Sequence, residues 1–188
     1  MNLLKFFDEV SKLKEIKRTG WVERGVKGSE SIADHSFMVA LQTLVLGYSK
    51  KLNIEKVLKM AIVHDIVESI TGDIITKENW PSGGTITEEK KYRLEKKALN
   101  GLLINLSPKI KKDLINIWVE FEFGKSKEAV FVRSIDKFEG MLQAMKYKKS
   151  GNFKKPLDNF WSKKKNINAI KDKGVRKILL KIVEQKNM

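Results

Sequence analysis

The chain has 188 residues, 41% of them hydrophobic and 32% charged, which is one domain's worth of polypeptide with enough apolar mass for a core. It contains no cysteine, which excludes a disulfide framework and any thiolate metal site, so a metal bound here takes nitrogen and oxygen ligands. The formal net charge of +15 raises the question of nucleic acid, while no apolar run nears the roughly 18 residues of a membrane span.

Apolar positions Leu3, Leu4, Phe7, Val10, Leu13 and Ile16 recur at helical spacing and predict a helix that ends before Gly20. Its charges interrupt the apolar positions and no small-residue cleavage site follows, so a signal peptide is not expected and the expected compartment is the cytoplasm. TGWVERGVKGSES, with three glycines, reads as an ordered loop. Ser31 is then a predicted N-cap, with Asp34 in a capping-box variant, opening a helix that carries His35 in its first turn. That helix passes through Phe37, Ala40, Leu41, Leu44 and Val45 to about Leu52.

Asn53 caps the next predicted helix, through Val57, Leu58, Met60, Ala61, Ile62 and Val63. It is apolar nearly all round, as expected of a helix buried centrally. His64, Asp65 and Glu68 arrive at its C-terminal end, where buried polar groups need partners. From Gly72 to Thr87 the periodicity lapses into GDIITKENWPSGGTIT, a long loop of the kind that often serves as lid or substrate wall. Helices resume at Thr87, after Pro108, and over about Ser126 to Lys148, the last carrying Asp136 and Glu139 among its apolar residues. The tail holds Phe153, Phe160 and Trp161, candidates for packing between subunits, and a last amphipathic helix through Ile178, Leu179 and Ile182. Residues 146–188 carry fourteen Lys/Arg against three Asp/Glu, mostly lysine at scattered positions. This reads as a solvated face that draws small anions rather than a groove tracking nucleic-acid phosphates. The expected fold is all-α.

The two histidines, the only two in the chain, each adjoin an aspartate: Asp34-His35 and His64-Asp65. A lone histidine on an apolar helix is ordinarily a hydrogen-bonded core residue, but two such pairs point to a metal site. On a continuous helix His64 and Glu68 share a face, and Asp65 lies about 100° from His64. With His35 and Asp136 supplied by other helices, two nitrogens and two oxygens would grip one ion. Such a set suits Mn²⁺, Co²⁺, Fe²⁺, Zn²⁺ or Mg²⁺, and the histidines weigh against Ca²⁺.

The order His35, His64-Asp65, Asp136 resembles the HD-domain metal-dependent phosphohydrolases. RTGWVERGV, ESIADHS, AIVHDIVESITGDI and FVRSIDKFEGMLQA are together similar to the 5′-deoxynucleotidases of the YfbR and HD-domain-containing-protein-2 type, over about residues 16–147. The His-Asp dipeptide alone is a weak signal; HDxxExxxGD with the upstream DH and the downstream Asp is a strong one. The resemblance implies a single HD-domain helical bundle over residues 1–188, with the lysine-rich residues 148–188 as a helical extension packed on the core. It implies one divalent ion on His35, His64, Asp65 and Asp136, with Glu68 handling proton transfer. Asp73, a further catalytic candidate, and Thr76 would contact the nucleoside sugar, and Trp21 would lie beside the phosphate. Where bacterial members place an arginine directly before this tryptophan, the chain has Gly20, which leaves Arg18 or Arg24 to orient the phosphate.

The activity so implied is hydrolysis of deoxyribonucleoside 5′-monophosphates to deoxynucleoside and phosphate, by a homo-oligomer, with a dimer favoured. Two other readings stay open: another HD-type activity, such as a phosphodiesterase or nucleoside triphosphate hydrolase, and a basic helical module that binds nucleic acid. Trp21, Trp80, Trp118 and Trp161 could stack on bases, although packing is the ordinary role of such residues. Glu120 and Glu122 carry no assigned chemistry.

Overall fold

The computed structural model describes residues 2–78 and 84–186. Among them are eleven α-helices and no strand, only the isolated bridges Lys17–Ser31 and Thr76–Ile86. In chain order the helices are α1 (Leu3–Ser11), α2 (Thr19–Val22), α3 (Ile32–Gly47), α4 (Ile54–Val63), α5 (Glu68–Thr71), α6 (Glu88–Leu102), α7 (Pro108–Phe123), α8 (Lys127–Ser150), α9 (Asn159–Ser162), α10 (Lys164–Ala169) and α11 (Lys173–Lys186).

Local chemistry sets most of the boundaries. Ser31, Asn53, Thr87, Ser107 and Ser126 each accept a backbone N–H from three residues on, which satisfies one of the orphan donors of the first turn. Ser31 and Asp34 complete a reciprocal capping box. At its other end α7 stops where Gly124 turns left-handed, at φ 61°. The first predicted helix is shorter than its apolar pattern suggested: α1 ends at Ser11 and tightens into a 3₁₀ turn over Lys12–Lys14.

The core gathers around α4, which packs against α3, α7 and α8. Val57, Met60 and Ala61 are fully buried, each larger side chain contributing roughly 1.5–3 kcal/mol through removal from water. Burial all round, as expected from the composition of α4, is not what the structure gives. Ile62 is 58% exposed, and Lys56 and Lys59 reach Glu120 and Asp113 of α7. The reason is that the bundle covers α4 with three neighbours and leaves one side to solvent.

α3 turns inward an unexpected face: Ile32, His35, Val39, Thr43 and Gly47 are buried, while Phe37, Leu41, Val45 and Tyr48 lie 42–75% exposed. Gly47 permits this, because a Cβ there would stand 3.2 Å from Ile54 Cδ1. The C-terminal segment is docked rather than loose. Leu157, Ile170, Val175 and Leu179 are fully buried in the same hydrophobic cluster as α4, and Lys50 pairs with Asp172 at 2.8 Å. Trp161 is 8% exposed, while Phe160, packed against Trp21, and Phe153 are only half-buried.

Candidate metal centre

His35 and Asp136 come from the first turn of α3 and the middle of α8, and His64 caps the C-terminus of α4. Their ligand atoms all lie within 4.8 Å of one another. His35 Nε2 is 3.2 Å from Asp136 Oδ1. Asp65 joins them through Oδ2, 3.1 Å from His64 Nε2 and 3.8 Å from His35 Nε2. Three of the four expected ligands therefore lie together, and Asp65 sits beside both histidines.

The ring orientations test whether these residues fit a metal. His64 donates Nδ1–H to the carbonyl of Ala61 at 2.9 Å, and His35 pairs its Nδ1 with Glu139 Oε2 at 2.6 Å. A carbonyl only accepts, so Nδ1 of His64 carries the proton and Nε2 offers its lone pair to the cleft. Both Nε2 atoms are buried and neither makes a hydrogen bond, although carboxylate oxygens crowd them. Two orphaned imidazole nitrogens facing two carboxylates form a donor set that fits a divalent ion, with Glu139 and Ala61 orienting the rings as such ions require. Glu139 was visible in the sequence only as a carboxylate one helical turn beyond Asp136; its partner was not.

Electrostatics agree. Burial would raise the Asp65 carboxyl, yet His64, His35 and Arg18 hold it below the usual carboxylate range. Asp136 is likewise held low by His35 and Lys137 despite its burial. For His35, burial and Arg18 disfavour the imidazolium, but Asp136 and Glu139 outweigh them and raise its pKa to about 9.

The remaining expected residues divide. Arg18 faces the centre: its Nη1 lies 3.9 Å from Asp65 Oδ2 and its Nε 3.9 Å from Glu30. Arg24 donates to the Gly20 carbonyl and stacks over Phe160 at 4.5 Å. Trp21 is 2% exposed, gives its indole N–H to Glu30 and packs on Tyr147 and Phe160, an embedded position rather than a surface beside a ligand. Asp73 accepts the Thr19 N–H at 2.7 Å, tying the loop that follows α5 to the start of α2. Thr76 is 1% exposed and donates its hydroxyl to Glu88, fastening the same loop to α6.

One local expectation needs correction. His64 and Glu68 do not share a continuous helix: α4 ends at Val63, and residues 64–67 turn with i,i+3 hydrogen bonds before α5 begins at Glu68. Buried carboxylates and imidazoles that must meet one point bend the chain there. Asp34 serves the capping box as expected, its Oδ2 accepting from the N–H and hydroxyl of Ser31. Trp118 is fully buried against Tyr92, and Trp80 lies outside the described residues. Glu120 pairs with Lys56 at 2.7 Å, whereas burial pushes the Glu122 carboxyl up. No helix among the described residues is long and apolar enough to cross a membrane.

Known proteins resemble the chain in sequence and in fold. The HD domain family matches residues 10–173. A 5′-deoxynucleotidase HDDC2 of Dictyostelium discoideum is 39% identical over 155 residues, covering 79% of this chain and 78% of that protein. The protein of the same name in Bos taurus is 38% identical, covering 85% of this chain and 75% of its own. Among solved structures, the PH0347 protein of Pyrococcus horikoshii is 35% identical, with a TM-score of 0.74 over 97% of this chain and 96% of that one. By sequence match, helical architecture and the convergence of His35, His64 and Asp136, the chain belongs to the HD-domain family.

Proposed function

We propose that this chain is a metal-dependent phosphohydrolase that removes phosphate from deoxyribonucleoside 5′-monophosphates. The observation that carries the reading is the pair of orphaned, oriented Nε2 atoms beside Asp65 and Asp136, with Arg18 facing Asp65. The substrate class rests on the relatives named 5′-deoxynucleotidase, two of them 39% and 38% identical. His35, His64, Asp65 and Asp136 would hold one divalent ion, Mn²⁺, Co²⁺, Mg²⁺, Fe²⁺ or Zn²⁺. When bound, that ion polarises a phosphoryl oxygen and lowers the pKa of coordinated water.

The chain's own residues supply the rest. Arg18 offers a permanent positive charge to the phosphoryl oxygens, where charge must be stabilised for one of the slowest uncatalysed reactions. Glu68, 5% exposed, is pushed well above the ordinary carboxylate range by burial and by Asp65 and Asp73, with Lys91 and Arg18 opposing. A carboxyl raised in this way is suited to carry a proton between attacking water and leaving oxygen. Asp73 and Thr76 shape the sugar side through the loop they anchor. Trp21 acts at one remove, by holding Glu30 beside Arg18.

We further place the protein in the cytoplasm, as one HD domain with residues 148–188 as its docked extension, and as a homodimer. The exposed α3 stripe Phe37, Leu41, Val45 and Tyr48 is the surface for self-association. Sedimentation of Val45→Lys should show a monomer where the parent is a dimer; a dimeric variant removes that surface from the reading. The deciding assay is phosphate release from a panel of monophosphates with Mn²⁺, Co²⁺ and Mg²⁺, on the intact protein and on His64→Ala. Equal release by both proteins would overturn the assignment. Glu68→Gln should keep its metal while turnover falls roughly 10²–10⁴-fold.

A further inference from the structure

Glu68 does not stand alone at the start of α5. Lys91, from the first turns of α6, brings Nζ to 3.8 Å from Glu68 Oε1 and 3.3 Å from Glu95 Oε1. Both carboxylates are nearly enclosed, Glu68 at 5% and Glu95 at 3% exposure, while the Lys91 side chain keeps 24%. The ammonium thus sits between two enclosed carboxylates on different helices. Lys91 and Glu95 together line a cavity of about 290 Å³ with Tyr92, Glu122 and Phe123.

The groups acting on Glu68 come from every side: Asp65 and Asp73 disfavour its ionised form, and Lys91 and Arg18 favour it. Arg18 is shared with Asp65 and Glu30 and faces the phosphate side of the proposed reaction. Lys91 has no metal ligand within ion-pair distance; its partners are Glu68 and Glu95. Glu95 and Lys91 lie four apart on α6, so α6 presents the ammonium already held. A merely structural clamp between α5 and α6 could have been made from apolar residues at lower desolvation cost.

We propose that Lys91, held by Glu95, is a positioning residue for Glu68, fixing the direction of its carboxylate and balancing the negative charge of Asp65 and Asp73. The inference rests on the reading of Glu68 as the proton-transfer group. Lys91 touches neither substrate nor metal in this scheme; it acts through Glu68. Displacing a reacting group by about 1 Å can cost on the order of 10²-fold in rate, which sets the scale of the expected effect.

The test is a double-mutant cycle on phosphate release by the metal-loaded protein: Lys91→Met, Glu68→Gln and both together, with metal content and thermal midpoint measured throughout. Lys91→Met should lower kcat by roughly 10–100-fold, leave KM and bound metal unchanged, and move the acidic limb of the kcat profile to higher pH. Lys91→Arg should recover part of the loss. In the Glu68→Gln background, Lys91→Met should cause no further loss. Wild-type kcat in Lys91→Met, or two losses that multiply, would overturn the proposal while leaving Glu68 in place. Full turnover by Glu68→Gln would instead bring down the proton-transfer reading, and this inference with it. Should Lys91→Met fail to fold, Glu95→Gln gives the same comparison. It preserves the shape of α6 and should show the same kcat loss in smaller degree, and an unchanged kcat there overturns the proposal.

Discussion

His35 uses its two ring nitrogens for opposite purposes, and that division sets how metal binding should respond to mutation and pH. Nδ1 is held by Glu139 at 2.6 Å, so Nε2 points where a metal is needed. Glu139→Gln should retain the fold and lower metal affinity roughly 10–100-fold, measured by titration with a chelator. The pH dependence follows from Asp136 and Glu139 raising the His35 pKa from 6.5 to about 9 against burial and Arg18. A histidine raised on folding contributes stability that is complete below its unfolded pKa and is lost as pH rises through the folded one. The chelator-treated protein should therefore become less resistant to urea between about pH 6.5 and about 9. Metal must displace the same proton, so affinity should climb over that window. A flat urea midpoint across it would contradict the proposed proton on His35.

At the scale of elements, the site depends on how each helix begins and ends. His35 occupies the first turn of α3, directly behind the capping box of Ser31 and Asp34. Ser31→Ala removes two hydrogen bonds to Asp34 and should cost about 1 kcal/mol in chemical denaturation. It should also weaken metal binding, because the first turn that carries His35 is then free to fray; undiminished affinity would separate cap from site. The break after α4 matters equally. Had the helix continued through Glu68, His64 and Glu68 would have lain on one ridge; the intervening turn instead lets Asp65 reach both histidines. The loop after α5 is tied at two points, Asp73 to Thr19 and Thr76 to Glu88. Those ties bring the segment expected to face the sugar into register with Arg18 on one side and α6 on the other.

Taken as a whole, the molecule places its lysine-rich end behind the bundle as a support. Leu179 is fully buried in the cluster that includes Met60 and Phe131, and Ile170 and Val175 join it. Leu179→Ala should cost about 2–5 kcal/mol, read from urea unfolding, as for other enclosed leucines. A cost near zero would mean that α11 is not part of the cooperative unit. The +15 net charge then serves solubility and the attraction of anions, while the centre itself is mainly carboxylate and imidazole.

Sequence alone determined the helical class, most of the helix starts and the candidate donors that the fold brings together. Caps such as Ser31, Asn53, Thr87 and Ser126 act within one turn, and apolar periodicity reports a helix wherever it lies. The donors were legible because histidine is scarce here and the spacing around His64 is distinctive. Tertiary structure decided which face of α3 turns inward, where α4 breaks, that Arg18 rather than Arg24 faces Asp65, and which partners orient the site. Glu139 on His35 is 104 residues away in sequence, and Lys91 reaches Glu68 across two helices. Local hydrogen bonding and residue chemistry travel with the chain, whereas contacts between distant carboxylates and cations exist only once several helices share one core.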